Sequence, residues 1–171
     1  MAMTAPFRYP ALVRVLHWLA VALVAVAYLT SESAEEAGGG GQWHVLAGLA
    51  LIVVFVPWLL ARLIGPRPPP PPPGLQAWTA RLVHVALLLF VVVEPMLGVL
   101  TVWAEGHALA VPFTSWRIAP LVALGESWEE RLEDLHATVG NVFYAVIALH
   151  ALAALWHQFI RRDGTLRRMT G

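Results

Sequence analysis

The sequence contains no cysteine, and only 13% of its 171 residues are charged. Without cysteine the chain can form no disulfide, no iron–sulfur cluster, no thiolate-ligated zinc site and no thiol nucleophile. The charges also cancel, with 11 basic and 11 acidic residues, so no overall basic excess is present to bind a nucleic acid. Soluble domains contain about a quarter charged residues. The low charge and the hydrophobic content of 58% therefore predict a membrane protein.

Four apolar stretches are long enough to cross a bilayer, which takes about 20 residues of helix. They cover about residues 10–30, 43–63, 79–103 and 136–160. We therefore expect an all-α fold, an integral membrane antiparallel four-helix bundle that forms a single domain over residues 1–171. The loop 104–135 ends in the segment ESWEERLEDL, which we interpret as a short amphipathic helix at the membrane surface.

Arginine is distributed unequally between the two sides of these spans. One side carries nine of the 11 basic residues, namely Arg8, Arg14, Arg62, Arg67, Arg81, Arg161, Arg162, Arg167 and Arg168. The other side carries Arg117 and Arg131 against nine acids, and these acids are Glu32, Glu35, Glu36, Glu105, Glu126, Glu129, Glu130, Glu133 and Asp134. Because cytoplasmic loops are rich in arginine, both termini are predicted to be cytoplasmic and the 31–42 and 104–135 loops to face outward.

Histidines recur at matched depths within the spans. A helix rises about 1.5 Å per residue, so the spacing of residues along a helix gives their relative depth. His44 and His136 are each predicted in the first turn of a helix that starts at the outer surface. His150 then lies about 21 Å deeper than His136, and His17 lies about 20 Å below the outer end of its own helix. The sequence therefore predicts two histidine pairs at two depths.

Three other ionisable groups belong to the spans or their inner rim. His84 and His157 are predicted about 28 to 31 Å from the outer end, which makes them a third pair at the inner rim. Glu94, followed by Pro95, is a carboxyl in the middle of the third span. Its two interpretations are a proton carrier or partner of a buried group, and a protonated acid bonded to a neighbouring helix.

Two imidazoles that face each other from different helices are the arrangement required for bis-histidine haem ligation. Six-coordinate iron has no open position, so such a haem transfers electrons. Gly48 and Gly140 follow the two outer histidines by one turn and would let the macrocycle lie close to the helix backbone. The alternative is a non-haem transporter or scaffold in which histidines bind zinc or hydrogen-bond between helices.

These residues together resemble the bacterial cytochrome b561 family of two-haem, four-helix membrane cytochromes. The matching stretches are VRVLHWLAVAL, QWHVLAGLALIV, ARLVHVALLLF, DLHATVGNVFYAVIALHALAALWHQFI and the tail RRDGTLRRM. They occur in the same order and at the same spacings as in the family, and they cover nearly the whole chain.

The resemblance implies two haem b groups and a set of residues around them. The implied residues are His44 and His136 as iron ligands of the outer haem, His17 and His150 as iron ligands of the inner haem, and His84, His157 and Arg81 as quinone or haem-propionate candidates. The compact chain is similar to the superoxide oxidases of this family, which oxidise superoxide at the periplasmic face and reduce ubiquinone. The expected location is the bacterial inner membrane, within membrane lipid.

Two features depart from this expectation. Glu94 stands where the family pattern has an apolar residue before the proline, which affects the expected proton handling. The nine outer acids are a poor field for attracting an anion such as superoxide unless a local basic spot around Arg117 offsets them. An alternative function is therefore a cytochrome b subunit that exchanges electrons between quinone and a partner dehydrogenase, hydrogenase or periplasmic cytochrome.

Overall fold

The computed structural model describes residues 7–31, 39–69, 73–122 and 124–171. Four long helices make up most of this part of the chain, and they are α1 Ala11–Leu29, α2 Gly39–Ile64, α3 Leu75–Ala104 and α4 Glu129–Trp156. All four are long and apolar enough to cross a membrane. The predicted all-α, four-helix membrane fold is confirmed. The outer acids Glu32, Glu35 and Glu36 lie outside the described residues.

The fourth helix begins earlier than predicted. A 3₁₀ turn, Glu126–Trp128, leads directly into α4 at Glu129, whereas the span was expected to start at residue 136. The prediction of a separate surface helix is therefore wrong. Leu132 is buried and packs against Leu97 and Ala104 of α3. Packing of Leu132 on α3 thus ties this segment to the bundle as the first turns of α4.

The helices pack as two hairpins. Helix α1 packs against α2, α3 packs against α4, and α2 contacts α3. Many of the outward apolar side chains are exposed in the isolated chain, as expected where lipid covers them. Gly48 on α2 lies beside Pro95 on α3, where an added Cβ would be 3.8 Å from the proline ring. In the interior between the two hairpins, His44 of α2 meets His136 of α4.

One end of the bundle, here called the loop end, carries a short antiparallel hairpin. Its strands are β1 Leu109–Ala110 and β2 Arg117–Ile118. Phe113, between them, packs on Trp43 with ring centroids 4.9 Å apart. Because Trp43 precedes His44, the hairpin lies next to the histidine pair closest to this end.

The opposite end, here called the terminal end, contains the start of α1 and the C-terminal tail. Helix α4 finishes in a π-helical turn, His157–Arg161, and a one-turn helix α5 follows at Arg167–Thr170. Trp18 donates a 3.0 Å hydrogen bond from Nε1 to the carbonyl oxygen of Met169. This bond holds the tail beneath α1. The centre of the proline run, residues 70–72, lies outside the described residues.

Candidate redox site within the bundle

His44 on α2 and His136 on α4 face each other near the loop end. Their ring centroids are 5.9 Å apart, and the ring planes cross at 83°. A metal ion held between two imidazole nitrogens at about 2 Å each separates the ring centroids by about 6 Å. The spacing of this pair therefore suits a single metal ion between the two rings.

The Nδ1 atom of each of these rings lies close to an oxygen. His44 Nδ1 lies 2.9 Å from the carbonyl oxygen of Ala27 on α1. Because a carbonyl only accepts, this Nδ1 carries the proton and Nε2 keeps its lone pair. His136 Nδ1 lies 3.2 Å from Oε1 of Glu94. Metal-binding histidines characteristically have such an acceptor on the nitrogen that does not bind the metal. The residues present therefore fit a bis-histidine haem.

The outer pair lies deeper in the helices than predicted. Because α2 begins at Gly39 and α4 at Glu129, the two histidines are five and seven residues from their helix starts. They were expected in the first turn. Helices α2 and α4 both begin before their predicted starts, so the two histidines remain at a matched depth and their rings still meet.

The next ring pair along the bundle joins α3 to α4. His84 and His150 have ring centroids 5.2 Å apart at an angle of 84°. The predicted pairing of His84 with His157 at the inner rim is therefore wrong. The prediction counted depth along α4 from His136. Counted from the actual ends, His84 is 20 residues from Ala104 and His150 is 21 residues from Glu129, so their depths agree.

His17 belongs to the same level of the bundle. The hydroxyl of Tyr28 on α1 donates a 2.7 Å hydrogen bond to the carbonyl oxygen of Gly140 on α4, so these residues lie at one height. His17 is eleven residues from Tyr28, and His150 is ten residues from Gly140. Both distances correspond to about 15 to 17 Å along a helix. His150 therefore has two histidines, His17 and His84, at its own depth.

At the terminal end His157 is part of a hydrogen-bonded network. Its Nδ1 donates to Oδ2 of Asp163, and its Nε2 lies 3.3 Å from Nε2 of Gln76. Arg161 donates a 3.1 Å hydrogen bond to Oε1 of the same glutamine. Burial raises the pKa of Asp163, but hydrogen bonds from Thr165 and His157 outweigh this effect and lower the pKa to about 2. Asp163 is therefore a carboxylate at neutral pH.

Several residues of these sites could not be predicted from the sequence. Gln76 and Asp163 lie in polar segments without a distinguishing motif, and the carbonyl of Ala27 has no sequence signal. The predicted candidate Arg81 is exposed on α3, one turn before His84. Gly140 contacts α3, because a Cβ there would be 2.9 Å from Oε1 of Glu94. That contact was not predicted, and the role of Gly48 and Gly140 in haem packing stays a prediction.

Paired imidazoles inside four apolar helices are the arrangement expected of one class of protein, the membrane cytochromes. Residues 8–171 match the family model described as prokaryotic cytochrome b561, and the chain belongs to that family. It is therefore a membrane electron-transfer protein of a family that binds haem b. This membership removes the non-haem transporter or scaffold as an alternative.

Curated relatives match along most of their length. The chain is 30% identical over 163 residues to cytochrome b561 homolog 1 of Escherichia coli (strain K12), covering 90% of this chain and 92% of the relative. It is 29% identical to the probable superoxide oxidase CybB of Yersinia pestis, covering 90% of each. It is 28% identical to cytochrome b562 of Cereibacter sphaeroides, covering 90% of this chain and 89% of the relative.

Proposed function

We propose that this protein holds two haem b groups in series and uses them to oxidise superoxide and reduce ubiquinone across the bacterial inner membrane. The observation that carries the proposal is the His44–His136 pair, with rings 5.9 Å apart, His44 Nδ1 hydrogen-bonded to a carbonyl oxygen and His136 Nδ1 3.2 Å from a carboxyl oxygen. In this proposal Nε2 of each ring binds the outer haem iron. With both termini in the cytoplasm, the loop end faces the periplasm.

The inner haem is assigned to His17 and His150. Support comes from the Tyr28–Gly140 hydrogen bond, which sets α1 and α4 at heights that make these two histidines level. His84 is the second ring at this depth, and its Nδ1 is hydrogen-bonded to the carbonyl oxygen of Ala80 in its own helix. It is assigned to the surroundings of the inner haem, with Arg81 one turn away toward the terminal end.

Haem b held by two imidazoles exchanges single electrons and leaves no coordination position for a substrate. The chain's own residues then have three tasks. The spans exclude water, His136 and His150 would hold the two groups from positions about 21 Å apart along α4, and the two ends would bind the substrates. For each turnover, two superoxide ions give two molecules of O2, and the two electrons with two protons convert one quinone to quinol.

The network around His157 is the proposed quinone site. Arg161 and Gln76 carry N–H donors that suit quinone oxygens, and both lie on the terminal end. His157 between Gln76 and the carboxylate of Asp163 is suited to hold a proton and pass it to a quinone oxygen. A π-helical turn begins at His157, and such turns are frequent at functional sites.

Stopped-flow spectroscopy of the oxidised protein mixed with superoxide, with and without ubiquinone, tests donor and acceptor together. We expect haem reduction by superoxide alone and rapid reoxidation once quinone is added. A pyridine haemochrome assay should give two haems per chain, and His136→Ala should give one. His107→Ala is the matched control, because that side chain is 74% exposed in the loop. No reduction by superoxide would overturn the substrate assignment.

A second function is favoured by the charge at the loop end. Glu129, Glu130, Glu133 and Asp134 are exposed on the first turns of α4, close to His136 in sequence. Such a surface repels superoxide and suits a basic redox partner. In this second function the protein is a cytochrome b subunit that takes electrons from a partner dehydrogenase, hydrogenase or periplasmic cytochrome. Reduction by a basic cytochrome that is faster than reduction by superoxide would favour it.

A further inference from the structure

Glu94 places a carboxyl group against one of the outer histidines. Its Oε1 lies 3.2 Å from His136 Nδ1, and the two side chains are only 14% and 27% exposed. Among the described residues, neither Glu94 Oε2 nor His136 Nδ1 has a well-aligned hydrogen-bond partner, although both atoms are buried. Buried polar atoms of this kind are rare without a reason. The close approach therefore indicates that Glu94 acts on His136.

Two glycines make room for this contact. A Cβ at Gly140 on α4 would come 2.9 Å from Oε1 of Glu94. A Cβ at Gly98, one turn after Glu94 on α3, would come 3.3 Å from Cε1 of His136. The absence of a side chain at both positions allows the carboxyl and the imidazole to lie side by side.

The neighbouring hydroxyl does not compete for Glu94. Tyr28 donates its hydroxyl hydrogen to the carbonyl oxygen of Gly140 at 2.7 Å. A hydroxyl has one hydrogen to donate, so the N–H of His136 is the donor that remains for Glu94 in this cluster. The 3.2 Å between His136 Nδ1 and Glu94 Oε1 lies at the upper end of the hydrogen-bonding range.

We infer that Glu94 is a positioning residue that accepts a hydrogen bond from His136 Nδ1. The bond keeps the proton on Nδ1, directs Nε2 at the outer haem iron and makes the imidazole a stronger electron donor. A stronger donor favours the oxidised haem, so Glu94 lowers the reduction potential of the outer haem. Either protonation state of the carboxyl offers an acceptor oxygen. The inference rests on the proposed ligation of the outer haem by His136.

The two outer histidines differ in the kind of acceptor beside Nδ1, and only the acceptor of His136 can be changed by mutation. His44 Nδ1 is bonded to the backbone carbonyl of Ala27, which no side-chain substitution removes. The acceptor for His136 is a side chain. Of the two bonds, only the second can be altered by a single substitution, so residue 94 is where the chain sets the donor strength of this ligand pair.

Redox titrations of Glu94→Gln and Glu94→Leu test the inference. Leucine removes the acceptor, and we expect the ratio of reduced to oxidised outer haem at a fixed applied potential to rise about tenfold, which is about 59 mV for one electron. Glutamine keeps an acceptor oxygen and should give a smaller rise. The inner haem should not change. Met96→Leu is the matched control, because Met96 is exposed two residues further along α3.

Each other outcome has a defined meaning. Unchanged potentials in both variants, with two haems bound, would overturn the role of Glu94 and leave the proposed function intact. Equal shifts of both haems would indicate a general disturbance and would also overturn it. If Glu94→Leu loses the outer haem, the reduction potential of the outer haem in Glu94→Gln becomes the test. A rise would support the role of Glu94, and no change would overturn it. Retention of two haems by His136→Ala would instead contradict the proposed ligation.

Discussion

The hydroxyl of Tyr28 donates a 2.7 Å hydrogen bond to the carbonyl oxygen of Gly140 and so joins α1 to α4 across the bundle. The same tyrosine ring lies against Tyr144, with centroids 4.0 Å apart. The bond is one turn from His136 on α4, and Ala27, whose carbonyl accepts from His44, is the neighbour of Tyr28. One contact thus sets the height of both histidine levels.

Removing this hydroxyl should loosen α1 from α4. For Tyr28→Phe we expect a loss of about 1 kcal/mol in the free energy of unfolding, because hydrogen bonds between membrane helices contribute about that much. Thermal unfolding in detergent, followed by circular dichroism, measures the change. Tyr144→Phe is the control, since its ring lies against that of Tyr28 and its hydroxyl makes no hydrogen bond among the described residues. Equal effects of the two substitutions would contradict the role of the bond.

Gly140→Ala should act on the haem more than on stability. The added methyl would lie 2.9 Å from Glu94 Oε1, and this oxygen is the end of a flexible side chain that can move away. Alanine also favours a helix over glycine by about 0.5 to 1 kcal/mol, which offsets the crowding. We therefore expect little change in the melting temperature and a rise in the outer haem potential, as in the Glu94 variants.

Gly48→Ala is the matched control for that substitution. Gly48 follows His44 by one turn, as Gly140 follows His136, but its added Cβ would make only an ordinary 3.8 Å contact with Pro95. The outer haem potential should stay unchanged. Loss of the outer haem from both alanine variants would show that the macrocycle itself occupies these positions.

The sequence was sufficient for the four spans and for the matched depth of His44 and His136, because apolar length and helix rise are local properties. It failed for His84, since depth depends on where a helix starts, and α4 starts at Glu129 through packing of Leu132 on α3. The acceptors of His44 and His136 come from α1 and α3. Such contacts between distant segments have no local signal in the sequence. The role of Ala27 could therefore not be predicted, and Glu94 was predicted to be important without its contact with His136.

His84 and His157 should now behave differently on substitution. His157→Ala should leave two haems with unchanged spectra and slow quinone reduction by about tenfold or more, because a proton donor is lost. His84→Ala should alter the spectrum of the inner haem, since the His84 ring lies 5.2 Å from that of His150. Haem spectra and stopped-flow reoxidation by quinone separate the two effects. Normal quinone kinetics in His157→Ala would exclude it from the quinone site.

The tail should respond to acid through Asp163. Its pKa is lowered from 3.8 to about 2, so its stabilising effect is complete above about pH 4 and is lost as the pH falls through about 2. Thr165 N donates a 3.0 Å hydrogen bond to Oδ1 of Asp163. Hydrogen exchange of the tail amides should therefore be slower at neutral pH in the native chain than in Asp163→Ala. The difference should vanish below about pH 2, where Asp163 is protonated, and a difference that persists there would contradict this origin.

The acids at the loop end give a test that separates the two proposed functions by sign. Replacing Glu129, Glu130 and Glu133 with glutamine removes three negative charges from an exposed surface of α4. If superoxide is the donor, its rate of haem reduction should rise about two- to tenfold at low salt, because repulsion of the anion is relieved. If a basic protein is the donor, its rate should fall by a similar factor. Both changes should shrink as salt is added, because the effect acts through solvent.

Rates that are unchanged for both donors at low salt would mean that electron entry occurs away from this face, and Arg117→Gln on the exposed strand β2 would then be the substitution to compare.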